Sequence, residues 1–167
     1  HLSATYKGTV IPQELRAEFP KTYFAKYNKE AYIINVIYTK DGMEVTEPAV
    51  AEMLFKDGVN VADIESNNGG RGFARNVAAI LMNTYKSNKT VIHPFFQSKN
   101  KQSRILSNST WVMEHIYFPI NWADRFPDYF TAMSRYQKEG KNAHDDAPDA
   151  TTGVAEKIGS GDAFSFD

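Results

Sequence analysis

Cysteine is absent from this chain of 167 residues. Its absence excludes disulfides, thiolate zinc sites and a cysteine nucleophile, and it is compatible with a reducing cytoplasm. No apolar run reaches the ~18 residues of a transmembrane helix, and the first residues lack the charged-then-apolar pattern of a signal peptide. The chain also lacks an initiator methionine, so we expect it to be a fragment of a longer protein.

An excess of charge of one sign is missing as well. The 19 Lys and Arg residues nearly balance the 20 Asp and Glu residues, and the formal net charge is −1. No global basic field therefore attracts nucleic acid, and any nucleic-acid binding has to use a local patch. P-loop and GxSxG motifs do not occur, and the four histidines show no zinc-ligand spacing.

Apolar residues are present in the proportion that a folded protein needs. Hydrophobic residues make up 42% of the chain and aromatic residues 13%, which indicates a globular protein rather than a disordered one. The length suits one domain with a sizeable core. We expect an N-terminal arm or linker over residues 1–30, a folded domain over 31–160 and a loose tail over 161–167.

The spacing of apolar residues and turn formers predicts alternating strands and helices. Strands are expected at 31–39, 59–66 and 90–95, with a brief edge strand at 116–119, and helices at 46–56, 72–86, 103–115, 124–138 and 148–158. This alternation is typical of an α/β fold in which helices cover a sheet. Ligands of parallel sheets bind at the carboxyl ends of the strands, so residues at those ends are candidates for a site.

The stretch "HDDAPDA" places His144 and three acids, Asp145, Asp146 and Asp149, at a predicted helix start. Spacings of three and four residues put the acids on one helix face if the helix begins early. One interpretation is helix capping, since acids suit the positive end of the helix dipole. Capping needs one acid, however, and three exceed that need, so the stretch is also a candidate metal site.

The physical reason for a metal at this place is electrostatic. Crowded carboxylates repel one another and raise each other's pKa, and a divalent cation removes that cost. Oxygen ligands suit Mg²⁺ and Mn²⁺. Two such ions about 4 Å apart support phosphodiester hydrolysis, so acids from a strand end and from a helix start are a suitable ligand set.

Glu65 stands at a predicted strand end of this kind. It lies near the end of the strand 59–66, just before the turn "NNGG" that leads into a helix. Asp63 shares a strand face with Glu65 because side chains alternate along a strand, and we expect it to be a hydrogen-bonded structural acid. The alternative interpretation of Glu65 is a solvated loop carboxylate.

Two short stretches carry clustered positive charge. In "NNGGRGFAR", Arg71 and Arg75 open a helix, where backbone N–H groups and guanidinium groups can hold a phosphate. "SKNKQSR" adds Lys99, Lys101 and Arg104, which can follow a phosphate backbone. The alternatives are a tight turn with surface arginines and an ordinary solvated face.

Taken in this order, these motifs resemble the C-terminal nuclease domain of phage terminase large subunits. The resemblance runs from about Ala31 to Ile158, and its most specific parts are "VADIESNNGGRGFARNV" and "HDDAPDATTG". It implies an RNase H-like fold of the retroviral-integrase-like superfamily, with a central mixed β-sheet flanked by helices. It also implies two Mg²⁺ or Mn²⁺ ions. Glu65 matches the family's second acid, and Asp145 or Asp146, with Asp149 close by, matches the third.

The resemblance further implies what the domain acts on and with. Terminase nucleases cut double-stranded DNA while the phage head is filled. The implied partners are this DNA, the portal protein, the small terminase subunit and an N-terminal ATPase domain that this chain does not contain. No membrane is expected to be involved, and the implied location is the cytoplasm of the bacterial host of a phage or prophage.

The chain departs from the family pattern at one point. The family's first acid lies on a hairpin strand that precedes the strand matching 31–39, and residues 1–30 show no such strand. We hypothesise that about 20 residues, the length of one ordinary hairpin, are missing between Lys21 and Lys29. The first strands of the fold are then missing too. The rival functions are another RNase H-like nuclease of resolvase or transposase type, and a catalytically incomplete module that docks on DNA or the portal.

Overall fold

A computed structural model describes residues 2–3, 30–137 and 145–159 of the chain. The predicted arm over 1–30 lies outside the described residues apart from Leu2, Ser3 and Glu30, and so does the predicted tail over 161–167. His144 and the proposed gap between Lys21 and Lys29 lie outside them as well. These expectations stay predictions.

The described residues contain strands and helices in alternation. The strands are β1 (Leu2–Ser3), β2 (Ala31–Tyr32), β3 (Val36–Ile37), β4 (Val61–Glu65), β5 (Val91–Phe95) and β6 (Ile116–Tyr117). The helices are α1 (Met43–Lys56), α2 (Gly70–Asn83), α3 (Lys101–His115), α4 (Trp122–Arg125), α5 (Pro127–Ser134) and α6 (Asp146–Gly159), and a 3₁₀ turn spans Asn67–Gly69. The predicted α/β class is therefore confirmed.

The described strands pair two by two, β1 with β3, β2 with β6 and β4 with β5. The last two pairs are parallel. By contact, the chain divides into two compact units, residues 1–4 with 37–99 and residues 5–36 with 100–167. We call their described parts the first and the second unit. The domain boundaries expected near residues 30 and 160 stay predictions.

In the first unit, β4, α2 and β5 form a βαβ arrangement with parallel strands in register from Val61 opposite Val91 to Glu65 opposite Phe95. A crossover helix is the usual connection between parallel strands. The core lies between the helices and β4 and contains the buried side chains Val50, Ala51, Met53, Leu54, Val59, Ala62, Ile64, Ala74, Val77 and Leu81. Glu65 is thus placed at the carboxyl end of a parallel strand, as the sequence predicts.

In the second unit, β2 pairs with β6, and the α3 and α6 helices pack against each other. Its apolar core is smaller and includes the buried side chains Ala31, Ile33, Ile116, Val154 and Ile158. Partly buried apolar and aromatic side chains extend it, among them Trp111 and Phe118. The packing of α3 on α6 is what sets the positions of the charged residues considered below.

Several predicted boundaries are wrong for local reasons. The strand expected over 31–39 is interrupted, and the Asn35 side chain accepts a hydrogen bond from the N–H of Val36 at 2.9 Å, which competes with strand pairing. The helix expected over 124–138 is divided before Pro127, because proline disfavours helical backbone in the preceding residue. Helices also begin earlier than predicted, among them α1 at Met43, α2 at Gly70 and α3 at Lys101.

Candidate functional site

Three acids and one lysine form a charged cluster in the second unit. Lys101 opens α3, while Asp145 directly precedes α6 and Asp146 opens it. The Nζ atom of Lys101 lies 3.1 Å from Asp145 Oδ1, 2.8 Å from Asp146 Oδ1 and 3.9 Å from Asp149 Oδ2. The structure brings the three predicted acids together around one ammonium group.

The start of α6 explains why these acids lie side by side. The carbonyl of Asp145 accepts a hydrogen bond from the N–H of Asp149 at 3.0 Å, so Asp145 stands at the N-terminal end of the helix. The helix begins at Asp146 rather than at the predicted Pro148. Proline is tolerated there because the first-turn N–H groups have no helical partner. Acids in this first turn also face the positive end of the helix dipole.

The ammonium of Lys101 is held in its charged form by the cluster. Burial lowers the pKa of Lys101, but hydrogen bonds to Asp146 and Asp145, together with their negative charges, outweigh it. The pKa of Lys101 therefore lies above its ordinary value. Its side chain is 37% exposed, and those of Asp145 and Asp146 are 41% and 42% exposed. Water and ions can reach this part of the cluster.

Arg104, one turn further along α3, forms a second and more buried set of ion pairs. Its side chain is only 6% exposed, and its Nη1 donates to Asp149 Oδ1 at 2.6 Å. Its Nε and Nη2 donate to the carboxylate of Glu156 at 2.8 to 3.2 Å. This guanidinium faces α6 rather than solvent, so Arg104 lacks the access to solvent that the predicted contact with a phosphate backbone needs.

Glu156 is a residue of this site that sequence reasoning missed. It lies seven residues after Asp149 on α6, a spacing that puts both on one helix face, and this periodicity was the available signal. Tyr129 and Thr151 were missed too. Both are buried, their hydroxyls form a hydrogen bond, and the Thr151 hydroxyl lies 2.7 Å from the carbonyl of Ala147. These bonds tie the first turns of α6 to α5.

Tyr136 lies near the same acids. Burial raises the pKa of its hydroxyl, and the negative charges of Asp145 and Asp149 raise it further. The phenol is therefore a neutral hydrogen-bonding group beside the cluster at physiological pH.

Within the described residues, no buried side-chain polar atom lacks a hydrogen-bond partner.

Glu65 ends β4 in the first unit, with its side chain exposed. The residues just after it anchor this strand end to β5. The N–H and the hydroxyl of Ser66 both donate to the carbonyl of Phe95, at 2.7 and 2.8 Å. The Asn67 side chain donates to the carbonyl of Gln97 at 2.6 Å and accepts from its N–H at 3.3 Å. Glu65 thus extends from a rigid strand end.

Asp63 and His93 lie opposite each other on β4 and β5. Asp63 Oδ1 is 4.0 Å from His93 Nδ1, and the Asp63 side chain is 23% exposed. Asp63 is therefore partly buried beside His93, and its expected role as a hydrogen-bonded structural acid stays a prediction. The His93 side chain is 47% exposed.

Arg71 and Arg75 are exposed and lie one turn apart on α2, so their side chains share a helix face. The turn before them contains Gly69 at a φ of +95°, a backbone conformation that favours glycine. Lys99 is exposed in the loop that follows β5. All three side chains have the access to solvent that phosphate contacts need.

Replacing Arg71 and Arg75 together with alanine is expected to weaken binding to duplex DNA and to reduce its salt dependence. Each lost phosphate contact lowers the slope of log K against log salt by about 0.9, so the slope should fall by roughly 2. Fluorescence anisotropy with a short labelled duplex over a range of KCl concentrations measures this. Lys89→Ala, an exposed site elsewhere in the unit, is the control, and an unchanged slope in the double variant would contradict the assignment.

The cluster around Lys101 offers oxygen donors of the kind that Mg²⁺ and Mn²⁺ prefer. In the described part of the chain, no set of three or more acidic or histidine side chains is already arranged as a metal site. Asp145, Asp146 and Asp149 nevertheless direct an oxygen each to within 4.0 Å of one positively charged atom. The donor chemistry therefore fits a divalent cation that takes the place of the ammonium.

The described helices are all too short or too polar to cross a membrane. Comparison with known proteins found no matching family model, and no curated protein or solved structure is significantly similar to the chain.

Proposed function

We propose that this chain is a divalent-metal-dependent endonuclease domain of the phage terminase type, which hydrolyses double-stranded DNA. The observation that carries the proposal is the convergence of the Asp145, Asp146 and Asp149 carboxylates on a single cation, the ammonium of Lys101. These acids come from "HDDAPDATTG", one of the two stretches in which the resemblance to the terminase nucleases is most specific. The position of Glu65 at the end of a parallel strand also supports it.

A bound Mg²⁺ or Mn²⁺ ion would supply the chemistry of phosphodiester hydrolysis, which is activation of a water molecule and stabilisation of the leaving oxygen. Asp145 and Asp146 are the proposed metal ligands in the acid cluster, because their side chains are the more exposed ones. Asp149 lies beside them and is bound to Arg104. Glu65 is a further proposed metal ligand, on the resemblance alone. Exposed Arg71 and Arg75 are proposed to position the DNA backbone, with Lys99 as a further contact.

The proposal extends to the setting of the domain. It includes the RNase H-like fold with a central mixed β-sheet. The parallel βαβ arrangement of the first unit is compatible with one part of such a sheet. It also includes the partners and the location that the resemblance implies: double-stranded DNA, the portal protein, the small terminase subunit and an ATPase domain, in the cytoplasm of a bacterial host.

A second candidate is a module that docks on DNA or the portal without cutting. The observation in its favour is that Lys101 and Arg104 compensate the charge of the acids without any metal. Acids that serve only to hold α3 against α6 need no cation. Measuring metal-dependent cleavage separates the two candidates.

Plasmid nicking in the presence of Mn²⁺ tests the proposed function. The chain is expected to convert supercoiled plasmid to nicked plasmid, and Glu65→Gln is expected to lower the rate by at least about 100-fold, the upper range for loss of a residue that supports a metal site. The substitution keeps size and removes only the charge. Agarose gels give the rate of supercoiled plasmid loss.

Glu52→Gln is the matched control, because Glu52 is an exposed glutamate of α1 in the same unit. It is expected to cut at the wild-type rate. Cleavage that survives in Glu65→Gln would remove Glu65 from the ligand set. Absence of cleavage in all three proteins would favour the docking module.

A further inference from the structure

Lys101 was expected to contact a DNA phosphate, yet the structure places its ammonium inside the acid cluster. Its Nζ donates hydrogen bonds to Asp145 at 3.1 Å and to Asp146 at 2.8 Å. One positive charge thus bridges two carboxylates that would otherwise repel each other. The ammonium stands where the proposed function requires a divalent cation.

We propose that Lys101 is a positioning residue that holds Asp145 and Asp146 together in the metal-free protein and is displaced when a divalent cation binds. This inference rests on the proposed function, because it deepens the account of the same site. It assigns the lysine a role in metal binding that differs from direct contact with DNA.

Charge and distance favour displacement. Magnesium binds carboxylate oxygens at about 2.1 Å, and the oxygens that would hold it now contact the Nζ of Lys101 at 2.8 and 3.1 Å. A lysine that stayed in place would set a unit positive charge within a few ångströms of a divalent one. Repulsion at that distance in a partly dehydrated site is strong, so the two cations exclude each other.

The exposure of the two basic side chains on α3 differs in the way that this role requires. The Lys101 side chain is 37% exposed, and lysine has a flexible four-carbon stem, so its ammonium can move into water. Arg104 is 6% exposed and is bound to both Asp149 and Glu156. The lysine is the exchangeable cation, and the arginine keeps the α6 start in position during the exchange.

Amine-reactive labelling followed by peptide mass spectrometry tests the displacement directly. An ammonium paired with two carboxylates reacts slowly, and a released one reacts faster. Adding Mg²⁺ without DNA is expected to raise the labelling of Lys101 relative to Lys99, which lies two residues away and is exposed. The ratio of the two sites within one sample removes differences in reagent concentration.

Calorimetric titration with Mn²⁺ supplies the second measurement, on the wild type and Lys101→Met. Removal of the competing charge is expected to tighten Mn²⁺ binding by about tenfold, or about 1.4 kcal/mol. Lys101→Arg keeps the charge and is expected to stay near the wild-type affinity, which separates charge from side-chain shape. Lys89→Met, at an exposed lysine outside the cluster, is the control for a general change in surface charge.

The outcomes separate this inference from the proposed function. Tighter binding by Lys101→Met together with increased labelling of Lys101 in Mg²⁺ would support the inference. Metal binding of equal strength in both proteins, with unchanged labelling, would overturn it and leave the metal-dependent nuclease standing. Absence of Mn²⁺ binding in both proteins would overturn the inference and the proposed function together. If Lys101→Met does not fold, Lys101→Gln, which also removes the charge, takes its place in the titration with the same expected tightening.

Discussion

Arg104→Met is expected to lower the free energy of unfolding by about 3 kcal/mol. Removing one partner of a buried ion pair costs about 3–5 kcal/mol because the other charge is left buried and unpaired. Here two carboxylates are left, those of Asp149 and Glu156, at 15% and 25% exposure. Because both carboxylates are partly hydrated, we expect a loss of stability at the lower end of this range. For a chain of this size the melting midpoint should fall by roughly 6–12 °C, measured by circular dichroism.

Lys56→Met is the control for the loss of a basic residue. Lys56 forms an exposed ion pair with Glu52 on α1, and its loss is expected to leave the melting midpoint unchanged. Adding Asp149→Asn and Glu156→Gln to Arg104→Met should recover part of the stability, because the stranded charges are then gone. A single Arg104→Met variant as stable as wild type would show that the buried pairs do not hold α3 on α6.

Gly70→Ala is expected to lower the free energy of unfolding by about 2 kcal/mol, in the range found for overpacked sites. A Cβ atom at Gly70 would overlap the carbonyl group of Glu65, which is backbone and cannot rotate away. The strand end and the helix start must then separate. Because this contact sets the backbone of Glu65, the variant is also expected to nick plasmid more slowly. Urea denaturation measures the stability.

Gly72→Ala tests the same chemical change two residues further along α2. Nothing lies within 4 Å of a Cβ atom at Gly72, so alanine is expected to stabilise the helix by about 0.5 kcal/mol, as it usually does in place of glycine. If alanine lowers the free energy of unfolding at Gly70 and raises it at Gly72, the loss of stability at Gly70 is due to the close approach of the Glu65 carbonyl. A neutral or stabilising Gly70→Ala would disprove that requirement.

The three acids of the cluster differ in exposure and in their basic partner, and these differences rank them as candidate metal ligands. Asp149 is the least exposed of them and is bound to the buried guanidinium, so its removal is expected to cost stability as well as activity. Asp145 and Asp146 are partly exposed and share the ammonium of Lys101. They are therefore the better candidates for direct metal binding, a choice that the spacing of the acids leaves open.

Local features of this protein could be predicted from the sequence. The strand that ends at Glu65, the glycine turn after it and the end of α1 at Lys56 follow from side-chain alternation, turn formers and Gly58, whose φ is +63°. The closeness of Asp145, Asp146 and Asp149 also follows from helical spacing. Each of these features depends on contacts between residues a few positions apart, which a sequence pattern records.

Only the tertiary structure decided what the basic residues of α3 do. In the sequence, Lys101 and Arg104 belong to a polar run with the same pattern as Lys99, and all three were expected to face DNA. The structure pairs Lys101 with acids 44 and 45 residues away, and Arg104 with a glutamate 52 residues away. Whether a basic side chain meets water or a carboxylate depends on the packing of α3 on α6, and local periodicity carries no information about so distant a partner.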